Sequence, residues 1–425
     1  MFLAIFKYLK NISISINRFW ELVLMKILEL VNRFPPSIGG SQHYAFKIGQ
    51  ALAKLGHTVD VATTRSLSPG DSRGIGVGGV SWRNRYPNLQ GKSESEGLTI
   101  YRFSPSFEAY TYLFTPGLKK WVRPNRSNYD IIHAHGYTFL EPQYALVSKG
   151  QKPALVLSGH DLTQPHKNPL LSLSLRLHNA TLGRRLVDHY DSFIAHTPEN
   201  VADYRRLGVE NGQITVIPSG IDADRFEMAL ADKPRGRTEL LFVGRLVAYK
   251  GAQYLIEAMP AILQKLPEAH ATIVGEDQGY GAYLRRRVAE LNLRTAVTFT
   301  GRVDEVELIR YYQDAHFFVF PSINEGFGLV VLQAIMAGCY PILAEAKALK
   351  YLLADIGGTP LAMTSVSTIA QQIATIVLAS SPRDLSAQVS QMQKKVRADY
   401  AWPAIAQKYQ SLFEDLLRTT DSKGY

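Results

Sequence analysis

Apolar and polar positions alternate in two rhythms along this chain. Lys26–Val31, Thr58–Thr63, Ile131–His133, Ala154–Leu157, Ser192–His196 and Ile214–Ile217 are short apolar runs with the length of buried strands. Between the first two, Ala45, Ile48, Leu52 and Leu55 recur on one helical face of Ser41–Leu55, and Gly56 stands where a left-handed cap ends a helix. Strand, turn, helix and strand in that order predict a parallel sheet with helices on both faces. After a polar interval that reads as a hinge, from Pro218 to Arg237, the rhythm starts again. Glu239–Val243, Ala271–Val274, Val297–Thr300 and His316–Phe320 read as strands, and Ala252–Leu266 as a helix that Pro260 is placed to kink. Two such series predict an α/β protein of two Rossmann-like, doubly wound domains facing across a cleft. Ligands are expected at the carboxyl ends of the strands.

The expected division is an N-terminal extension over 1–24, a first domain over 25–219, a second over 220–400 and a C-terminal segment over 401–425. The last begins an amphipathic helix through Trp402, Tyr409 and Phe413. In the extension, Phe2, Ile5, Phe6 and Leu9 have helical spacing, but Ile12, Ile14 and Ile16 alternate, and Lys7, Lys10 and Arg18 interrupt the apolar residues. No run is long enough to span a bilayer, and no cleavage site stands out. An interfacial anchor, a disordered tail and a start-codon artefact remain open, while Met25 reads as the start of the fold. Ser66–Gly97, rich in Gly, Ser and Arg, reads as a long mobile loop. Its Gly74-Ile-Gly76-Val-Gly-Gly79 matches a dinucleotide fingerprint, but no strand precedes it and no apolar helix follows, so the match is set aside.

Composition narrows the setting. The chain has 425 residues, 46% of them hydrophobic and 20% charged, as in ordinary globular domains. Its one cysteine, Cys339, excludes intrachain disulfides and polythiolate zinc cages, and fits a cytoplasmic protein. Forty-seven Lys+Arg against 37 Asp+Glu leave +10, which suits anionic partners: sugar nucleotides, an anionic membrane surface met peripherally on its inner face, or nucleic acid.

The candidate chemistry lies mostly in the second series. Pro321-Ser-Ile-Asn-Glu325-Gly326-Phe327-Gly328-Leu329 follows a buried strand and opens an apolar helix, the arrangement that binds phosphate on backbone N–H groups. Glu325 sits at its mouth. Gly244-Arg245 and Lys250-Gly251 follow another strand end, so a guanidinium fork and an ammonium are expected in the same cleft. Gly39-Gly40 fills the first strand-to-helix turn. His160 ends a strand at Ser158-Gly-His-Asp161, and Glu276 follows the strand that ends at Val274. His133 and His135 flank Ala134 at another strand end. Lacking a third ligand at motif spacing, they read as acceptor-side lining or satisfied polar residues. Asp222-Ala-Asp224 is a DxD triplet, but its place in a hinge argues against metal binding.

Together these motifs resemble the retaining glycosyltransferases of the GT-B fold, of the group 1 or family 4 type. The hallmark there is a Glu, seven residues and a second Glu, with Gly-Phe-Gly after the first. Here Glu325 is the first, and Gln333 replaces the second. The resemblance runs from about Met25 to about Leu417 and implies transfer of a hexose, with retention, from a UDP-, GDP- or ADP-sugar to an acceptor hydroxyl on a glycan or lipid-linked acceptor. It implies no cofactor and no metal. It implies that Arg245, Lys250 and the Gly328-Leu329 helix start hold the diphosphate, with Gly39, Gly40 and Gly244 lining it. Glu325 and His160 would face the donor sugar, Glu276 the base or ribose, and Gln333 the ribose hydroxyls. It implies too that the final helix packs back on the first domain. Gln keeps one carbonyl acceptor but loses the charge, which weakens donor binding by roughly tenfold without removing the reactive groups. The rival readings are a nucleotide-sugar epimerase or phosphorylase, a non-catalytic binding homologue, and a nucleic-acid binder using Arg205-Arg206 and Arg285-Arg286-Arg287. No aromatic–basic motif supports the last, and nucleic acid is not expected as a partner.

Overall fold

The computed structural model describes residues 24–37, 39–66, 89–109, 112–159, 169–229, 232–234, 236–380 and 382–422. The N-terminal extension up to residue 23, the Gly74–Gly79 run and His160 lie outside them.

The strands are β1 (Lys26–Leu30), β2 (Thr58–Thr64), β3 (Lys92–Ser95), β4 (Leu98–Phe103), β5 (Phe107–Ala109), β6 (Tyr112–Phe114), β7 (Ile131–His135), β8 (Ala154–Ser158), β9 (Ser192–Ala195), β10 (Ile214–Val216), β11 (Glu239–Val243), β12 (His270–Val274), β13 (Val297–Gly301), β14 (Phe317–Phe320), β15 (Tyr340–Ala344) and β16 (Thr359–Leu361). An eight-stranded sheet has the order β10-β9-β8-β7-β1-β2-β4-β3, and a six-stranded sheet the order β13-β12-β11-β14-β15-β16. β5 and β6 form a separate antiparallel pair.

In the first sheet β1 runs parallel to β2 and to β7, with Glu29 opposite His133. Ile27, Leu28, Leu30, Ile131, Ile132 and Ala134 are wholly buried there, because strands with covered faces carry apolar side chains on both. The helix Gly40–Lys54 follows β1 and buries Ala45, Ile48 and Leu52, the face its spacing predicts. In the second sheet every neighbouring pair is parallel. Its order, with the first strand central and the chain winding out one way and then the other, is the doubly wound arrangement. Phe242, Phe317, Phe318 and Phe320 fill its core, with Tyr312 beside them.

Two compact units result. Of the described residues, one holds those up to 157 with 188–191 and those from 410 on; the other holds those from 158 to 187 and from 192 to 409. Among the described residues no helix is long and apolar enough to cross a membrane.

The expected strands and helices form, with shifted ends. Pro260 stands inside the helix Ala252–Leu263, which stops short of the expected Leu266. The expected loop over Ser66–Gly97 is corrected at Lys92–Ser95, which forms β3 against β4. That strand has an exposed, polar face and pairs across a tight turn at Glu96-Gly97, so it carries no apolar signal. The strands β4, β15 and β16 belong to no run singled out in the sequence, and β16 has three residues.

Candidate active site

Two loops of the second unit build the site. From Val243 at the end of β11 the chain passes through Gly244, Arg245 and a single turn, Ala248–Lys250, into the helix Ala252–Leu263. From Phe320 at the end of β14 it passes through Pro321 to Gly328 into the helix Leu329–Met336. β11 and β14 are neighbours, and the winding of the sheet reverses between them. Loops that leave in opposite directions at such a point open a crevice for a ligand.

The two loops are joined. The Ile323 N–H donates to the Tyr249 carbonyl at 3.0 Å. Gly251, the last residue before its helix, has φ 86°, and a Cβ there would stand 2.4 Å from the Pro321 carbonyl oxygen. Only glycine meets both the left-handed backbone and that close approach. Gly328 likewise opens its helix at φ 94°. The Leu329 and Val330 N–H groups come before the first bond of that helix, Val331 N–H to the Gly328 carbonyl at 2.9 Å, and the helix dipole favours an anion there.

Lys250 Nζ donates to Glu325 Oε1, and the two side chains are 12% and 11% exposed. The ammonium also stands over two rings, 5.5 Å from the centre of Phe320 and 5.7 Å from that of Tyr249. Arg245 is exposed and is steered by two donated bonds, from Nη2 to the Tyr249 hydroxyl at 2.9 Å and from Nη1 to Gln278 Oε1 at 3.2 Å. Gln278 belongs to the loop after β12, which joins the same loop through Leu246 N–H to the Glu276 carbonyl at 2.8 Å. Glu276 and Gly326 are exposed; Phe327 is half-buried, its ring 6.1 Å from that of Tyr400.

Gln333 lies on the helix Leu329–Met336, and its Oε1 accepts a bond from the Tyr312 hydroxyl at 3.2 Å. Tyr312 is wholly buried, so Gln333 satisfies a hydroxyl inside the fold. The structure therefore brings Gly244, Arg245, Lys250, Glu325, Gly328 and Leu329 onto two joined loops, with Gln333 one turn along the helix. Tyr249, Gln278 and Tyr312, which orient the charged and amide groups, carry no motif and were not singled out. Nor was Ser322, whose wholly buried hydroxyl in the Glu325 loop has no hydrogen-bond partner among the described residues.

Gly39 and Gly40 belong to the first unit. Gly39 precedes the helix Gly40–Lys54 and its carbonyl accepts from His43 N–H at 3.0 Å, and a Cβ on Gly40 would meet nothing within 4 Å among the described residues. Beyond β1, Asn32 Nδ2 donates to both carboxylate oxygens of Glu141, at 3.3 and 3.2 Å. Burial drives the Glu141 carboxyl up to about 7, against the pull of the Asn32 amide and the Arg33 charge. Glu141 carries no sequence signal. The His133 and His135 side chains meet a third group, Glu29, that spacing alone does not reveal.

The cations proposed for nucleic acid are engaged. Arg285 pairs with Asp277, Arg286 with Glu290, and Arg287 with Glu257, at 2.9, 3.5 and 2.7 Å. Arg206 pairs with Asp203 at 2.8 Å, and Arg205 bonds Asn211. Asp224 of the DxD triplet is paired with Arg397.

Two doubly wound units, one of them with cations and a helix start at its switch point, define a GT-B glycosyltransferase fold. Comparison with known proteins makes the family plain. Residues 224–395 match the family model described as "Glycosyl transferases group 1", and residues 38–225 match "Glycosyltransferase Family 4". The chain is a group 1 glycosyltransferase. It is similar to the GDP-mannose:cellobiosyl-diphosphopolyprenol alpha-mannosyltransferase of Xanthomonas oryzae pv. oryzae, 26% identical over 92% of this chain and 97% of that one. It is similar also to the glycogen synthase of Mycobacterium tuberculosis, 27% identical over 90% and 92%. Among solved structures, sucrose-phosphate synthase from Thermosynechococcus elongatus matches 92% of this chain and 99% of its own, at TM-score 0.63 and 22% identity.

Proposed function

We propose that this enzyme moves a hexose from a nucleoside diphosphate sugar to an acceptor hydroxyl, with retention and without a metal ion in the transfer step. The observation that carries the reading is the meeting of Lys250, Arg245 and the helix start at Gly328-Leu329 around one switch point of the second unit. Two cations of different shape and a helix N-terminus suit a diphosphate whose negative charge grows as it leaves. The names of similar proteins support this donor class: the Xanthomonas enzyme is named for GDP-mannose, and an Anabaena protein of similar fold (TM-score 0.63, 18% identity, 92% of this chain and all of that one) is described in complex with UDP and glucose.

Glu325, held by Lys250, grips hydroxyls of the donor sugar once the diphosphate competes for that lysine; the ion pair at the strand end supports this part of the reading. The exposed Arg245 fork takes the outer phosphate oxygens, and Gln333 reaches toward the ribose with its remaining hydrogen-bonding capacity. The parts expected of Gly39, Gly40 and His160 rest on the resemblance alone. Glu276 lies toward the base. The acceptor is a glycan or lipid-linked hydroxyl, brought by an enzyme that works in the cytoplasm, peripheral to the anionic inner face of the membrane.

A thermal-shift panel of UDP-, GDP- and ADP-sugars tests the donor class, followed by transfer assays with EDTA present. One selective donor should raise the melting midpoint, and Arg245→Ala with Lys250→Ala should abolish that rise. A panel without any shift, or transfer by a chain still folded in EDTA that stops there and returns with Mg2+ or Mn2+ but not with Zn2+, removes the reading.

A further inference from the structure

Away from those loops, the first sheet encloses a cluster that the transfer reaction does not use. Parallel pairing sets Glu29 of β1 beside His133 of β7, and alternation brings His135, two residues on, to the same face. All three are buried, at 0%, 0% and 1% exposure. Glu29 Oε2 stands 3.0 Å from His133 Nδ1 and 2.6 Å from His135 Nε2, and the imidazole centres are 4.2 Å apart. The three donor atoms lie within 4.8 Å of one another. Tyr44 and Phe413 close over the rings, edge-on to His135 and His133 at 6.1 and 6.2 Å.

We propose that Glu29, His133 and His135 form a structural site for a divalent transition-metal cation of the zinc type, joining β1 to β7. Two imidazoles and one carboxylate, with no thiolate, form a donor set that zinc accepts and that magnesium or calcium, which favour oxygen alone, do not. A carboxylate sealed in a sheet needs a compensating positive charge, and a cation supplies it to all three ligands at once. Bonds of about 2.1 Å in a tetrahedral centre put ligand atoms roughly 3.4 Å apart, so the two carboxylate–imidazole distances of 3.0 and 2.6 Å open by less than about 1 Å on side-chain rotation, with the imidazole nitrogens already within 4.8 Å of each other. Water completes the fourth position. Full burial makes the ion part of the folded core, taken up as the sheet forms, and keeps it out of the transfer chemistry.

The test uses the full chain with any purification tag removed, grown with zinc. Elemental analysis should find about one zinc per chain, falling to near none in His135→Gln and in Glu29→Gln. Metal-stripped protein should take up Co2+ with visible ligand-field bands and gain melting temperature in Zn2+. Should the variants fail to fold, zinc X-ray absorption on the unaltered chain counts its histidine ligands directly, and two are expected. A wild-type chain that holds below about a tenth of an equivalent and ignores Co2+ shows a triad held by protons alone. Bands that survive both substitutions, or a zinc shell with fewer than two imidazoles, also overturn the site.

Discussion

The ammonium of Lys250 is held on the carboxylate of Glu325, across two loops that leave neighbouring strands. With both side chains mostly buried, loss of one partner strands the other. Lys250→Met should therefore destabilise the chain by about 3 kcal/mol, and Lys250→Met with Glu325→Leu by clearly less, because the double change removes both charges. Transfer should fall by about 100-fold or more in Lys250→Met, and likewise in Glu325→Leu alone, because each loses a group that the proposed function assigns to the donor. Denaturant midpoints and turnover on the same preparations check both statements. Equal stability of the single and double variants would deny that the pair is coupled.

Gly251 joins the same loops through backbone. Gly251→Ala meets two penalties, a left-handed φ and a Cβ 2.4 Å from the Pro321 carbonyl. Strain of this kind costs about 1–3 kcal/mol, and relieving it moves the Glu325 loop away from Lys250. The expected result is donor affinity lowered by at least about tenfold, with the melting midpoint lowered as well. Unchanged donor affinity would show that the two loops move independently.

How much of this was legible in the sequence depends on where each signal resides. The strands β1, β11 and β14 are continuous apolar runs, and the glycines and cations after them stand at fixed offsets, so local pattern placed Arg245, Lys250, Glu325 and Gly328 correctly on strand-end loops. Polar partnerships are different. Tyr312 and Gln333 are 21 residues apart, and Glu29 and His133 are 104 apart. Such contacts exist only once distant elements pack, two helices in the first case and two strands in the second, and β1 lies beside β7 through a crossover that periodicity does not specify. Glu141 is one more acid in the sequence; only burial against Asn32 sets it apart.

The bond from Tyr312 to Gln333 gives the amide a second duty. Gln333→Glu restores a charged acceptor at the motif position while keeping an oxygen for the Tyr312 hydroxyl. Donor affinity should rise by roughly tenfold, measured by calorimetry with the sugar nucleotide that the thermal panel selects. Tyr312→Phe should lower stability by about 1 kcal/mol, as expected for one buried hydrogen bond, and should leave turnover within about threefold. A glutamate that leaves affinity unchanged would remove the ribose from the proposed role of this side chain.

Glu141 gives the fold a pH dependence whose sign can be worked out. Its folded value, about 7, lies above the roughly 4.3 of an unfolded glutamate, so between those values the folded chain binds the extra proton. Its stabilising contribution is complete below about pH 4.3 and is lost as pH rises through 7, an effect on the order of 3 kcal/mol. His57 and His316 act in the opposite sense, since burial lowers both and stability is gained as they lose their protons. The comparison that isolates Glu141 is therefore between chains at each pH. Glu141→Gln keeps a carbonyl for the Asn32 amide and has no charge to bury, so it should gain on the natural chain at pH 8 and lose that advantage by pH 5. Denaturant midpoints at the two values decide it: a difference between the chains that does not change with pH would mean that Asn32 and Arg33 keep the carboxylate charged throughout.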